Sequence, residues 1–190
     1  MTTTISLDDK TKPQVVDSTI SDIEAIMKVI DLTWLKTYPV NTTHKGNNLI
    51  VTKEDILLKQ SKMVFEKRYQ YMKESLHNPE HKNLVIKQDN VVVGMCRATL
   101  KHLDHRINAL YVLPQMQHLG FGTALIISAL ECLGLSEDIY LNVASYNLKS
   151  IEFYKKFGFV LNREIEIEDR FRFESGSFIP ESEMIKKHKP

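Results

Sequence analysis

The chain has 190 residues, with 25 Lys+Arg against 24 Asp+Glu and a formal net charge of +1. Hydrophobic residues make up 43% and charged residues 26%, a balance that suits one globular domain with a full core. Near-neutrality excludes charge-driven recruitment of nucleic acid or an anionic membrane, and no apolar run is long enough to span a bilayer.

"MTTTISLDDKTKP" is polar and lacks the apolar core of a signal peptide, so residues 1–13 are expected to be a flexible tail and the protein cytoplasmic. Cys96 and Cys132 lie far apart within apolar segments and read as reduced thiols. A short strand is expected at 14–18. Ser21-Asp22-Ile23-Glu24 has the form of a capping box, and Ile23, Ile26, Met27, Ile30 and Trp34 follow at helical spacing to about Lys36. "TYPVNTTHKGNN" reads as a loop broken by Pro39 and Gly46. Thr52 with Asp55 starts a second helix, reaching about Leu76. "NLVIKQDNVVVGMCRATL" reads as two strands around a turn at 88–90, and "RINALYVL" as a third strand ended by Pro114. A helix, apolar nearly all round and so buried, is expected from Gly120 to Leu133, stopped by Gly134. "IYLNV" is a short buried strand. A helix over 147–157 ends at Gly158, "FVLNREIEIEDRFRFE" alternates like a strand pair, and "SEMIKK" is expected to be a last edge strand. The resulting order, β-α-α-β-β-β-α-β-α-β-β, is an α/β domain with a mixed sheet.

The segment "VLPQMQHLGFGTAL" places two of the chain's 7 glycines, Gly120 and Gly122, at the start of an apolar helix. A helix N-terminus presents unpaired N–H groups and positive potential, which suit an anion, and glycine lets a phosphate approach the backbone. The competing explanation is close packing of helix on strand. Two other phosphate motifs fit poorly. A P-loop needs Gly-Lys-Ser/Thr, but Thr123 and Ala124 follow Gly122. A dinucleotide fingerprint starts directly after its strand and has a third glycine, but here Pro114–Leu119 intervene and Leu125 stands in the third place.

"LYVLPQMQHLGFGTAL" resembles the acetyl-CoA signature of the GCN5-related N-acetyltransferase (GNAT) family, and "NVASYNLKSIEFYKKFGFV" resembles that family's following strand–helix segment. "TWLKTYP" and "IPESEMIKK" resemble the entry segment and last strand of small-amine and polyamine acetyltransferases. The resemblance implies a GNAT fold: a mixed, mostly antiparallel sheet splayed between its fourth and fifth strands, with flanking helices. It implies one N-acetyltransferase domain over 14–190. It also implies transfer of an acetyl group from acetyl-CoA, without a metal, to a primary amine by direct attack. The acceptor is expected to be a small molecule, with protein amines as the other class. No nucleic-acid or membrane partner is expected, and a homodimer is left open.

The same resemblance assigns candidate residues. Pantetheine would pair with the backbone of Leu110, Tyr111 and Val112. The pyrophosphate would meet Gln117, His118, Leu119, Gly120, Phe121, Gly122 and Thr123. Asn147 and Ser150 would hold the pantetheine arm, and Tyr154 would be the general acid at sulfur. Asn147 and Tyr154, seven residues apart, fall within about 20° on one helix face. Trp34 and Tyr38 would line the acceptor pocket. Lys149, Lys155 and Lys156 either touch a CoA phosphate or are solvated. An alkyl amine of pKa about 10.4 costs roughly 4.6 kcal/mol to deprotonate at pH 7, so a base or water relay is expected. Many family members carry a glutamate just before "LYV". Here Arg106 or Asn108 stands there, leaving His102, Asp104, His105 or a held water as candidates. The alternative function is a non-catalytic acyl-CoA-binding or sensing module of the same fold, against which an intact Tyr154 argues. A dinucleotide-dependent oxidoreductase is disfavoured by the glycine spacing.

Overall fold

The computed structural model describes residues 13–62, 64–134, 136–165 and 172–188. The tail expected over 1–13 lies, except for Pro13, outside the described residues. The elements are β1 (Gln14–Asp17), α1 (Ile23–Thr37), β2 (Val40–His44), β3 (Asn47–Val51), α2 (Lys53–Lys62), α3 (Phe65–His77), β4 (His81–Gln88), β5 (Val91–Lys101) and β6 (Asp104–Val112). They continue with α4 (Phe121–Leu133), β7 (Ile139–Ala144), α5 (Leu148–Lys155), β8 (Val160–Ile165) and β9 (Glu181–Lys186). Seven strands form one sheet in the order β1-β4-β5-β6-β7-β9-β8, and β2-β3 is a separate hairpin.

All neighbours in the large sheet are antiparallel except β6 and β7, which run parallel across the α4 crossover. Their pairing covers only His105–Ile107 with Ile139–Leu141. Beyond it β6 stays bonded to β5 and β7 to β9, while the two strands separate from each other. The cause lies in β6. Arg97 pairs with Ala109 and Ala98 with Ile107, so Asn108 is an extra residue. Such a bulge bends and over-twists its strand. The sheet is thus splayed between the strands expected to part.

On one sheet face, Leu125, Ile126 and Ala129 of α4 and Ile151 and Tyr154 of α5 pack against Ile107, Val112, Leu141 and Val143. On the other, Ile26 and Val29 of α1 cover Val85, Val92 and Met95. A third cluster joins Leu49 and Val51 of the hairpin to Ile56, Phe173, Trp34, Tyr38 and Tyr146.

Several local expectations need correction. The cap of the first helix lies two residues earlier, where Asp22 Oδ2 accepts from Thr19 N at 3.0 Å and a single 3-10 turn, Ile20–Asp22, leads into α1. The expected loop after α1 is the β2–β3 hairpin, closed by Lys45 and Gly46 at φ 50° and 80°, the left-handed pair of a tight hairpin turn. The single helix over 52–76 is two. Thr52 and Asp55 cap α2 reciprocally at 2.8 and 3.0 Å, but Val64 at φ −51°, ψ 127° breaks the run before α3. The segment "SEMIKK" is not an edge: β9 lies between β7 and β8, with Met184 and Ile185 buried. β8 is the edge and pairs with β9, while residues 166–171 of the expected strand pair lie outside the described residues.

Candidate active site

The splay brings three elements together: the end of β6, the N-terminus of α4, and α5. Leu110, Tyr111 and Val112 face β5 along one edge and, among the described residues, carry no strand on the other. Their free backbone groups are a template for an extended ligand. One of them is already engaged, because the Val112 carbonyl accepts from Gln117 Nε2 at 3.1 Å and lies 3.3 Å from the Thr33 hydroxyl. Gln117 therefore fastens the loop to β6.

The loop reaches α4 through His118 and Gly120, both left-handed at φ 66° and 88°. Leu119 between them is exposed, and Phe121 is buried as the first helical residue. N–H groups of Phe121, Gly122 and Thr123 open the helix with no intrahelical partner. The structure separates the two glycines. Gly120 needs its positive φ, and a Cβ there would meet nothing within 4 Å, so it faces open space. Gly122 is helical, and a Cβ there would meet the Phe153 ring at 3.6 Å and Leu110 at 3.9 Å, ordinary contact distances, so neither backbone conformation nor packing demands glycine there.

Asn147 caps α5, its Oδ1 accepting from Ser150 N at 3.1 Å. The cap uses the side-chain oxygen and leaves the amide N–H groups to donate elsewhere. Ser150 shares this turn through its backbone. Tyr154 is buried, edge-on to Phe153 at 5.3 Å and Phe159 at 6.0 Å between ring centroids. Burial pushes its phenol above the ordinary value, with Cys96 and Tyr111 nearby adding to the effect. Its hydroxyl makes no hydrogen bond among the described residues. Lys149, Lys155 and Lys156 are exposed, and Lys155 pairs with Glu152.

Trp34 and Tyr38 lie where α1 meets the hairpin, their rings T-shaped at 5.2 Å. Trp34 Nε1 is buried without a hydrogen bond among the described residues, yet near enough to Tyr111 to act on its ionisation. The Tyr38 and Tyr111 hydroxyls are 3.4 Å apart, and Tyr146 donates to the Tyr38 carbonyl at 2.8 Å. Burial raises the pKa of all three phenols, Tyr38, Tyr111 and Tyr146. Tyr38 and Tyr111 are thus brought together from α1 and β6, close enough to Tyr154 for the charges to interact.

The proposed bases do not join them. His102 Nδ1 bonds Glu137 at 2.6 Å on the surface, and Asp104 pairs with Arg106. His105 pairs with Ile139 at the closed end of the splay. Leu110 lies five positions further on, about 16 Å along the strand. Arg106 is occupied too: it donates to Asn142 Oδ1 at 3.0 Å and Glu183 Oε2 at 3.1 Å. Asn108 is the bulge residue and bonds Thr99 on β5.

Sequence reasoning missed four participants: Thr33, Asn142, Tyr146 and Glu181. Tyr146 stands beside Asn147 and was within reach of the motif. The other three matter only through long-range pairing. Glu181 also lines a groove of about 580 Å³ between the hairpin and β8, with Lys45, Leu49, Glu164 and Phe178. Among the described residues, no three metal-binding side chains converge, and no helix is long and apolar enough to cross a membrane.

A sequence profile of the acetyltransferase (GNAT) family matches residues 52–159, more than half of the chain. No curated protein matches the sequence. Three solved structures share the fold. PaiA N-acetyltransferase from Thermoplasma acidophilum, in complex with coenzyme A, is 22% identical with a TM-score of 0.69, over 93% of this chain and 99% of that one. A mutant spermidine N-acetyltransferase from Vibrio cholerae is 16% identical with a TM-score of 0.64, over 93% and 94%. The ribosomal-protein-S18-alanine N-acetyltransferase from Escherichia coli is 12% identical with a TM-score of 0.64, over 94% and 96%.

Proposed function

The chain belongs to the GNAT acetyltransferase family, and from that premise we propose that it transfers an acetyl group from acetyl-CoA to a small primary amine. The observation that carries the reading is the splay itself. It opens an unpaired β6 edge directly onto the free N–H groups of α4, with a buried phenol opposite. The residues suit the cosubstrate. The edge at Leu110–Val112 fits the amide-bearing pantetheine arm, the open space at Gly120 fits the pyrophosphate, and the Asn147 amide fits a carbonyl of the arm.

The thioester supplies an activated acyl carbon and a fair leaving group. The protein's residues do the rest. A free N–H on the β6 edge polarises the thioester carbonyl and stabilises the oxyanion of the tetrahedral intermediate. Tyr154, a phenol that is neutral near pH 7 and that burial keeps neutral at higher pH, donates to the departing sulfur. Trp34 and Tyr38 wall the acceptor side, where the hairpin closes over the end of α1. A small amine is favoured because the groove beneath the hairpin, about 580 Å³, carries on its wall one carboxylate, Glu181, that pairs with no cation among the described residues. The reading includes one domain over 14–190. It is tested by supplying acetyl-CoA with a panel of polyamines, monoamines and short peptides, following thiol release and the acetylated product. Turnover greatest with a small amine is expected. CoA binding without acetylation of any acceptor would favour the non-catalytic module.

A further inference from the structure

We propose that Glu181, at the start of β9, receives the ammonium group of the acceptor and takes its proton, supplying from β9 the carboxylate that β6 lacks. The proposal rests on the acetyl-transfer reading above. Three independent observations support it.

The first is register. Glu181 stands opposite Ala144 and Glu183 opposite Asn142 on β7, so Asn142, Glu181 and Glu183 share one sheet face. Ala144 lies on the stretch of β7 that has left β6, so Glu181 stands at the open end of the splay rather than the closed end that holds His105. The second is the hydrogen-bond chain. Arg106 gives its guanidinium to Glu183, which also accepts from Asn162 and Arg163. Arg106 also donates to Asn142 Oδ1, which turns the Asn142 amide nitrogen toward Glu181 Oε2 at 3.2 Å. The arginine standing where the family often has an acid is thereby neutralised by one carboxylate of β9 and orients the other. Among the described residues Glu181 pairs with no cation and keeps one oxygen open.

The third is access. Glu181 lines the groove under the hairpin and acts electrostatically on Tyr38 and Tyr111, which lie on the splay side. It therefore stands between the path for an acceptor and the site for a thioester. The other charged or titratable groups of the groove have partners. Lys45 pairs with Glu164, Arg172 packs over Phe178 and bonds the Gly176 carbonyl, and His44 sits edge-on to Phe178. Ile165 of β8 is the residue opposite Glu181. Burial raises the Glu181 carboxyl above its ordinary range, with the Asn142 donor offsetting part, which makes it a better proton acceptor.

The carboxylate of Glu181 takes one proton from the ammonium, leaving a neutral amine. The amine lone pair forms a bond to the thioester carbonyl carbon, and the C–S bond breaks with its electron pair on sulfur. One proton of the nitrogen reaches the sulfur by way of Tyr154, one stays on the amide, and Glu181 releases the third to the groove.

The test is Glu181→Gln, with Glu181→Asp as the conservative partner, assayed with spermidine from about pH 6 to about pH 10. Circular dichroism checks folding, and calorimetry measures CoA affinity. Glu181→Gln replaces a half-buried carboxylate by an isostere, so it should fold and bind CoA as wild type does. Its kcat/KM for spermidine should fall about 100-fold near neutral pH, with the deficit closing as solution supplies free amine. Glu181→Asp should keep part of the activity with an acid limb in its pH profile. A Glu181→Gln profile that superimposes on wild type, or a loss equal at every pH, overturns the proposal. A wild-type protein that binds CoA but acetylates no amine overturns instead the transferase reading on which it rests.

Discussion

Tyr154→Phe removes one oxygen from the site, and the structure indicates where the loss should fall. The hydroxyl has no hydrogen-bond partner among the described residues, so its removal leaves no orphaned donor or acceptor behind. The ring keeps its edge contacts with Phe153 and Phe159, so stability should change by less than about 1 kcal/mol and KM for acetyl-CoA by no more than a few fold. The effect should appear in kcat. A thiolate, judged by a cysteine-like pKa of about 8.5, is already a fair leaving group, so protonating it helps by a modest factor. We expect a fall in kcat of roughly ten- to a thousandfold, about 1.4 to 4.1 kcal/mol. Burial raises the phenol above its ordinary value of about 10, so Tyr154 stays in its donor form below that pH. Its ionisation should therefore cause no loss of wild-type activity below about pH 10. The assay is steady-state kinetics of the folded variant with a competent amine, with pre-steady-state measurements showing that chemistry limits turnover. Wild-type kcat at every pH under that condition would show that Tyr154 is not the acid and that water protonates the sulfur.

Gly120→Val places a branched side chain at φ 88° and fills the open space before α4; it should cost about 1–2 kcal/mol of stability and raise the Kd for CoA at least tenfold by calorimetry. Gly122→Ala meets Phe153 at ordinary contact distance and should stay within a few fold of wild type, and unchanged affinity in folded Gly120→Val would remove the loop from the CoA site. Tyr38→Phe breaks the contact with the Tyr111 hydroxyl and should raise KM for the amine more than KM for acetyl-CoA; equal shifts would take Tyr38 out of the acceptor pocket. Asp22, buried before α1, accepts from Thr19 and pairs with Lys87 at 2.7 Å. Burial opposes its ionisation, but the Lys87 and Thr19 contacts outweigh it and hold the carboxyl below the usual range. The stability it contributes is fully present above the unfolded value of about 3.9 and is lost as pH falls below that and through the lowered value of the folded state, and Asp22→Ala should cost about 1–3 kcal/mol in urea unfolding at neutral pH.

The parts of the fold legible in the sequence are those with dense local signals. The turn at Asp89-Asn90, the stop at Pro114, the apolar run of α4 and the glycine after each of the last two helices all fall where they were read. The hairpin was hidden because Val40–His44 is mostly Asn and Thr, and its apolar partners on Ile56 and Phe173 are remote in sequence. The break before α3 has no glycine or proline to announce it. The bulge at Asn108, which opens the splay, is a property of pairing with β5 and leaves no mark in β6 alone. At the site, the motif-bearing residues were visible because they cluster along the chain. Glu181 was not, because its meaning depends on β9 entering the sheet beside β7, and on Arg106 being neutralised by Glu183.

If the splay between β6 and β7 hands an acetyl group from sulfur to nitrogen, the carbonyl carbon of that group changes from a thioester to an amide. Acetyl-CoA labelled with carbon-13 in the acetyl group, incubated with the protein and spermidine and followed by NMR, reads that transfer directly. The thioester resonance should decay as an amide resonance grows in equal amount, and the exchange should slow in Tyr154→Phe. A label that stays on the thioester, or appears only as free acetate, would rule the transfer out.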